Sequence, residues 1–145
     1  MQNLTQKITS LIIIMLLSFT HSCKNKNDAI PDVYVNIEID LNNPDFYPLQ
    51  SVGNHVYVTG GVKGIIVYRK SFDEFIALER TCPYDPDIGR VFVNESTHSA
   101  IDSIGCGSEF SLLVDGMVIE GPSKFPLKLY HAVYYENMNI LQITN

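Results

Sequence analysis

The sequence SIGCGSEF, Ser103–Phe110, continues directly into SLLVDGMVIEGPSKFPLKLY, Ser111–Tyr130, and this stretch decides the fold. An earlier segment, RTCPYD (Arg80–Asp85), carries another cysteine. Each cysteine lies in a short turn-forming segment between apolar runs, and the later one is followed by D-G, G-P and P-L pairs. An Asp-Gly pair between apolar runs is a strong hairpin signal. The order of these features predicts two cysteine loops carried by a framework of strands.

Almost all of the chain beyond residue 32 is typical of strands. VYVNIEI (Val33 to Ile39) alternates with a period of two, which predicts a strand with its valines and isoleucines on one face. LNNPDFYP is predicted to be a loop, and no amphipathic helix is predicted. The other predicted strand segments are HVYVTGG, VKGIIVYRK, FIALERT, RVFVNE, SAIDS, the hairpin FSLLVDGMVIEG, and the final hairpin formed by LKLYHAVYY and NILQITN. Short strands separated by frequent turn signals predict an all-β sandwich or small barrel of antiparallel strands.

The first 22 residues are predicted to be removed before the domain folds. A single basic residue, Lys7, precedes the apolar run LIIIMLLSF, which is too short to span a bilayer, and such a segment is typical of a secretory signal. The junction THSC, ending at Cys23, resembles the cleavage site of bacterial lipoproteins. That resemblance implies acylation of Cys23, a tether over 23–32 and a β domain over 33–145; the alternative is an ordinary signal peptide with a free cysteine.

The charge of the chain excludes one class of partner and restricts how it can contact a membrane. The net charge is −6, with ten Lys and Arg against sixteen Asp and Glu. Nucleic-acid binding depends largely on basic side chains that contact phosphates, so this class is excluded. We expect membrane contact through the lipid on Cys23 alone. An even pair of cysteines, Cys82 and Cys106, remains in an exported domain, and this favours a disulfide.

From about Gly60 to Asn145 the sequence resembles a Rieske domain, the fold that holds a two-iron two-sulfur cluster between two loops. In that family, C-x-H ends a strand, and C-x-x-H-G-S-x-F follows after a further fifteen to twenty residues. D-G, G-P and P-L-x-x-Y come next. Here the corresponding residues are Cys82-Pro83-Tyr84, the stretch Ser103 to Phe110, Asp115-Gly116, Gly121-Pro122 and Pro126 to Tyr130. The resemblance implies a Rieske-like fold and a lipoprotein of the Bacteroidetes type.

The ligand positions implied by the resemblance carry the wrong residues. The family uses two cysteines on one iron and two histidines on the other. The four positions are occupied here by Cys82, Tyr84, Ser103 and Cys106, so only Cys82 keeps its ligand type. The phenol of Tyr84 and the hydroxyl of Ser103 are poor substitutes for thiolate or imidazole as iron ligands. A two-iron cluster is therefore not expected, although a cluster with unusual ligands remains the alternative.

Two other uses of the cysteines remain open. If the loops pack as in the family, Cys82 and Cys106 face each other and could form a disulfide. They could also supply two ligands to zinc, with Asp85, Asp87 or Asp102 adding oxygens and His98 as a remote candidate. No metal is expected, and if one binds, Cys82 and Cys106 are the ligands that we assign to it first.

The sequence predicts a structural or protein-binding module of the cell envelope that is not an enzyme. No G-x-S-x-G nucleophile motif occurs, and no histidine is placed beside either loop cysteine by sequence. The three tyrosines Tyr130, Tyr134 and Tyr135 are predicted to form an exposed aromatic patch for an envelope partner. Electron transfer through a cluster and a redox-responsive Cys82/Cys106 pair are the competing functions.

Overall fold

The computed structural model describes residues 30–145, and the predicted signal segment, Cys23 and most of the tether lie outside this range. The described chain forms ten strands and two short 3-10 helices. The strands are β1 (Asn36–Asp40), β2 (His55–Val58), β3 (Ile65–Arg69), β4 (Phe75–Glu79), β5 (Phe92–Asn94), β6 (Ser99–Ile101), β7 (Glu109–Ser111), β8 (Val118–Glu120), β9 (Leu129–Tyr135) and β10 (Ile140–Thr144). The 3-10 helices are Pro44–Gln50 and Glu136–Met138. The prediction of an all-β domain is confirmed.

The strands form two antiparallel sheets. The larger sheet has the order β1-β10-β9-β4-β3-β2, and the smaller has the order β5-β6-β7-β8. The chain passes from β4 into the smaller sheet and returns through β9, which pairs with β4 through Ala77–Tyr130 and Leu78–Leu129. Both cysteine loops belong to the smaller sheet: the first (80–91) leads from β4 to β5, and the second (102–108) joins β6 to β7.

Strands β3 and β4 are buried on both faces, which explains their nearly continuous apolar sequences. One face, with Ile65 and Ala77, packs into a core with β1, β9 and β10. The opposite face, with Ile66 and Leu78, packs against Phe110 and the rest of the smaller sheet. This second core also contains Cys82, so the first cysteine is anchored by apolar packing at the junction of the two sheets.

Three predicted details are corrected by the structure. The first strand begins at Asn36 rather than Val33, and Val33 is exposed although Val35 and Ile39 are buried. The predicted loop after β1 contains the 3-10 helix Pro44–Gln50, which begins with a proline and is capped by the side chain of Asn43. Proline is well suited to a first helical turn because the backbone N–H that it lacks has no partner there.

Tyr130 is the third correction, because its side chain is buried rather than part of an exposed patch. It is 2% exposed, and its hydroxyl donates to the carboxylate of Glu79 at 2.8 Å. Glu79 is completely buried at the end of β4 and also accepts from the backbone N–H groups of Val62, Lys63 and Thr81 and from the Thr81 hydroxyl. Five donors thus compensate one buried charge, as a buried carboxylate requires.

We predict that Glu79→Gln lowers the free energy of unfolding by about 3 kcal/mol, because an amide can accept on only one oxygen and leaves buried donors unpaired. Urea unfolding at pH 7 measures this change. Glu74→Gln is the matched control: Glu74 is exposed and pairs with Lys70 at 2.7 Å, so its loss costs about 0.5 kcal/mol or less. Equal effects of the two substitutions would contradict the role assigned to Glu79.

The same variants reveal the pH dependence of stability. Burial alone would raise the pKa of Glu79, but the hydrogen bonds from Val62, Thr81, Lys63 and Tyr130 outweigh it and hold the pKa below its ordinary value of 4.5. A carboxyl group whose pKa is lower in the folded than in the unfolded chain stabilises the fold at pH values above its unfolded-state pKa. This contribution is lost as the pH falls through its folded-state pKa. We therefore expect stability to fall below about pH 4.5, less steeply in Glu79→Gln than in Glu74→Gln.

Candidate functional site

The structure brings together two of the four positions implied by the Rieske resemblance, Cys82 and Cys106. Their sulfur atoms lie 3.4 Å apart, with Cys82 fully buried and Cys106 half-buried. Both are free thiols in contact with each other across the two loops. The disulfide between them stays a prediction. The two sulfur atoms that it would join are in contact in this structure.

Tyr84 and Ser103, the other two positions, do not join this pair. Both side chains are exposed, Tyr84 to 51%, and neither donates a hydrogen bond to a cysteine within residues 30–145. The thiol of Cys106 instead contacts the Ser108 hydroxyl at 3.0 Å and an oxygen of Asp102 at 3.4 Å. The carboxylate of Asp102, rather than Tyr84 or Ser103, therefore completes the group formed with the two cysteines.

Local geometry explains how each loop holds its cysteine. The first loop is closed by the Thr81–Arg90 bridge and by a bond from Cys82 N to Gly89 O at 3.2 Å. A Cβ added to Gly89 would lie 2.6 Å from both Cys82 Cβ and an oxygen of Asp102. The loops therefore approach more closely than a larger residue at position 89 would permit.

Asp102 organises the second loop. Its buried carboxylate accepts from the backbone N–H groups of Gly105 at 3.0 Å, Cys106 at 3.2 Å and Arg90 at 3.2 Å, the last from the first loop. Burial alone would raise its pKa, but the bonds from Cys106 N, the Cys82 thiol and Gly105 N hold the pKa of Asp102 below its usual range. A carboxylate that accepts from the N–H groups three and four residues later is a local turn pattern. The sequence does not distinguish Asp102 from Asp85 and Asp87 by this pattern, because each of the three is followed by a glycine within four residues.

The electrostatics of the pair favour the thiol form of Cys82. Burial is the main cause that raises the pKa of Cys82 to about 12, and the hydrogen bonds with Cys106 and Asp102 raise it further. Backbone N–H groups of Asp85 and Tyr84 oppose the shift but do not cancel it. Since the thiolate is both the nucleophile and the metal ligand, this raised pKa weakens Cys82 in both roles.

The residues present do not fit a two-iron cluster of the Rieske type. Such a cluster needs two imidazoles on one iron, and the group formed by Cys82, Asp102 and Cys106 contains none. Within the described chain, His98 lies 3.1 Å from the Tyr68 hydroxyl and His55 packs edge-on against Tyr57. His98 is thus not a ligand beside the cysteines.

A single metal ion is a better match to the side chains that are present. One ligand atom from each of Cys82, Asp102 and Cys106 lies within 4.8 Å of the other two. Two thiols and a carboxylate are ligands that zinc accepts, and three protein ligands are typical of zinc sites with an open position. Because the pKa of Cys82 is raised, an ion bound here would have to displace the proton of that thiol.

No family model and no curated protein matches the sequence. Among solved structures, the chain is similar to the cyanobacterial plasma membrane Rieske protein PetC3 from Synechocystis PCC 6803. The TM-score is 0.51 at 16% sequence identity, and the match covers 77% of this chain and 98% of the other. This likeness shows a Rieske-like fold. In residues 30–145, no helix has the length and apolar character needed to span a membrane.

We predict that iodoacetamide at pH 8 modifies Cys106 long before Cys82. With a pKa of about 12, Cys82 should react about 10³-fold more slowly in the native protein than in the unfolded chain, where its pKa is roughly 8.5. Peptide mass spectrometry of timed samples distinguishes the three cysteines of the chain. Cys106→Ala isolates the native rate of Cys82, and a rate equal to that of the urea-unfolded protein would contradict the burial described above.

Proposed function

We propose that this chain is an exported, lipid-anchored Rieske-like domain that works without a two-iron cluster, as a structural or protein-binding module of the cell envelope. The observation that carries the proposal is the set of side chains at the loop ends: two free thiols in contact with each other and a hydrogen-bonded carboxylate. In this proposal the domain is not an enzyme. It keeps the framework of an electron carrier with a different set of side chains between the loops.

The proposed envelope location rests on the N-terminal sequence. Residues 1–22 have the pattern of a secretory signal, and Cys23 follows it at the place where bacterial lipoproteins are acylated. One acyl chain gives only marginal membrane binding, so the several chains of a bacterial lipoprotein anchor would be needed. The solved structure of similar fold is described as a plasma membrane protein, which agrees with this location.

The proposed protein contact rests on the tips of the cysteine loops. Tyr84, Ile88 and Ile104 expose 51%, 64% and 68% of their surfaces there. Exposed apolar residues gathered at one end of a small domain are typical of a partner surface.

A redox-responsive pair is the second candidate, and the 3.4 Å contact between Cys82 Sγ and Cys106 Sγ favours it. Bond formation would join the two sulfurs and release two protons and two electrons, which a partner disulfide in the exported compartment would accept as it is reduced to two thiols. Closing this loop would stabilise the fold by roughly 3 kcal/mol in the chain-entropy model. Electron transfer through a cluster with unusual ligands has no comparable support among the described side chains.

Native mass spectrometry of the mature chain tests the proposal directly. Purified without oxygen, the protein should have the mass of the lipidated polypeptide alone. An increment of two irons and two sulfides would contradict the proposal and favour electron transfer. A zinc increment would instead assign Cys82, Asp102 and Cys106 as its ligands.

The same measurement after export to an oxidising compartment distinguishes the two candidates. A loss of two hydrogens supports the redox pair, and Cys82→Ser is the control that cannot lose them. An unchanged mass with both thiols available to a denaturing alkylation would contradict the redox pair.

We predict that Cys23→Ala abolishes membrane attachment. Without the acylated cysteine the processed chain should no longer partition with the detergent phase, because its acidic residues outnumber its basic ones and its net negative charge disfavours contact with anionic lipid. Fractionation and labelling with a fatty-acid analogue measure this, with Cys106→Ala as the control that keeps its lipid. Labelling of the Cys23→Ala protein would contradict the assigned attachment site.

A further inference from the structure

A second concave site lies beside the first cysteine loop, distinct from the thiol pair. It is a cavity of about 750 Å³ between the segment from Tyr57 to Gly64 and residues of both cysteine loops. Lys63, Arg80 and Arg90 line it, and no acidic side chain does. In a chain with a net charge of −6, this is a local concentration of positive charge. The volume is in the range of small-molecule sites.

Arg80 is held rigidly at the inner wall of the cavity. It is only 5% exposed, and its Nε donates to Val91 O at 3.2 Å. Its guanidinium lies 3.8 Å from the ring centre of Tyr57 and 4.9 Å from that of Phe92. Stacking and a backbone bond together fix the plane of the guanidinium, so little conformational entropy would be lost when it binds a ligand.

The side chain of Arg90 approaches that of Arg80 over Gly64. A Cβ added to Gly64 would lie 3.5 Å from Arg80 Cδ and 3.5 Å from Arg90 Nη2, so both side chains meet over this glycine. Burial, followed by the positive charge of Arg90, lowers the pKa of Arg80. Two like charges held this close are stabilised by an anion that contacts both.

The described chain does not supply that anion. Between residues 30 and 145, the ion pairs involve Lys70 and Lys128 and neither arginine. Glu79 lies nearby, but its carboxylate is engaged by Val62 N, Lys63 N, Thr81 and Tyr130. The guanidiniums of Arg80 and Arg90 therefore remain available to a ligand.

The other groups around the cavity define the remainder of the ligand. The Lys63 ammonium donates to Asp87 O and Gly89 O, so it fastens the first cysteine loop rather than facing a ligand. The N–H groups of Val62 and Lys63 are used by Glu79, which excludes a backbone anion cradle. The exposed side chains of Val62, Ile88 and Ile104 complete the wall with apolar surface.

We propose that this cavity binds a small organic anion, with its carboxylate or phosphate between Arg80 and Arg90 and its apolar body against Ile88 and Ile104. Guanidinium groups pair with both kinds of anion through two parallel hydrogen bonds. This site is independent of the thiol pair and of the lipid anchor. It gives the loop end a ligand as well as a partner surface.

Titration of the mature chain followed by ¹H–¹⁵N NMR tests the site. The probes are benzoate, phenyl phosphate, neutral benzamide and inorganic phosphate. Benzoate or phenyl phosphate should shift the Arg80 Nε–H and the amides of Gly64 and Ile104 in a saturable way, whereas benzamide should not. Whichever of benzoate and phenyl phosphate binds with the higher affinity identifies the class of anion, carboxylate or phosphate. Saturable binding of benzamide with equal affinity, or no saturable shift with any probe, would overturn the proposal.

Two substitutions separate the charged and apolar parts of the site. Arg90 is exposed, so Arg90→Gln should fold normally and weaken binding of the organic anions about tenfold. Lys124→Gln removes the same charge at an exposed position that does not line the cavity and should leave the affinity unchanged. Ile104→Ser should weaken benzoate more than inorganic phosphate. Equal weakening by Arg90→Gln and Lys124→Gln would overturn the site in favour of nonspecific charge attraction.

Discussion

The buried carboxylate of Glu79 is the constraint on which the functional end of this domain depends. It stands at the last position of β4 and binds donors from three separate segments: the loop before β3, the start of the first cysteine loop, and β9. A buried charge is tolerated only when its oxygens are fully hydrogen-bonded, so these segments are held in one relative position. The same carboxylate thereby sets the place of Cys82 and the base of the arginine cavity.

Asp102 applies the same principle to the second loop. It receives N–H groups from its own loop and one from Arg90 in the first loop, and its oxygen contacts the Cys106 thiol. The two loops are thus joined by protein hydrogen bonds and by close packing at Gly89. These contacts hold the two loops of the Rieske-like fold together around Cys82, Asp102 and Cys106.

Three features lie together at the end of the domain that carries the two cysteine loops. The thiol pair lies inside it, apolar tips lie around it, and the arginine cavity lies on its flank. Lys63 links the cavity to the first loop through Asp87 O and Gly89 O, and Gly89 in turn packs against Cys82.

The amino-acid sequence alone determined the strand pattern, the two cysteine loops and the Rieske-like class, because alternation, turn residues and loop motifs are local signals. It also identified Cys82 and Cys106, but it could not choose among Asp85, Asp87 and Asp102, and it placed Tyr130 on the surface. Only the tertiary structure decided that Asp102 joins the thiols, that Tyr130 is buried against Glu79, and that Arg80 and Arg90 meet over Gly64. The physical reason is that hydrogen bonds to buried charges and convergent side chains join residues far apart in the chain, and no local pattern records such distances.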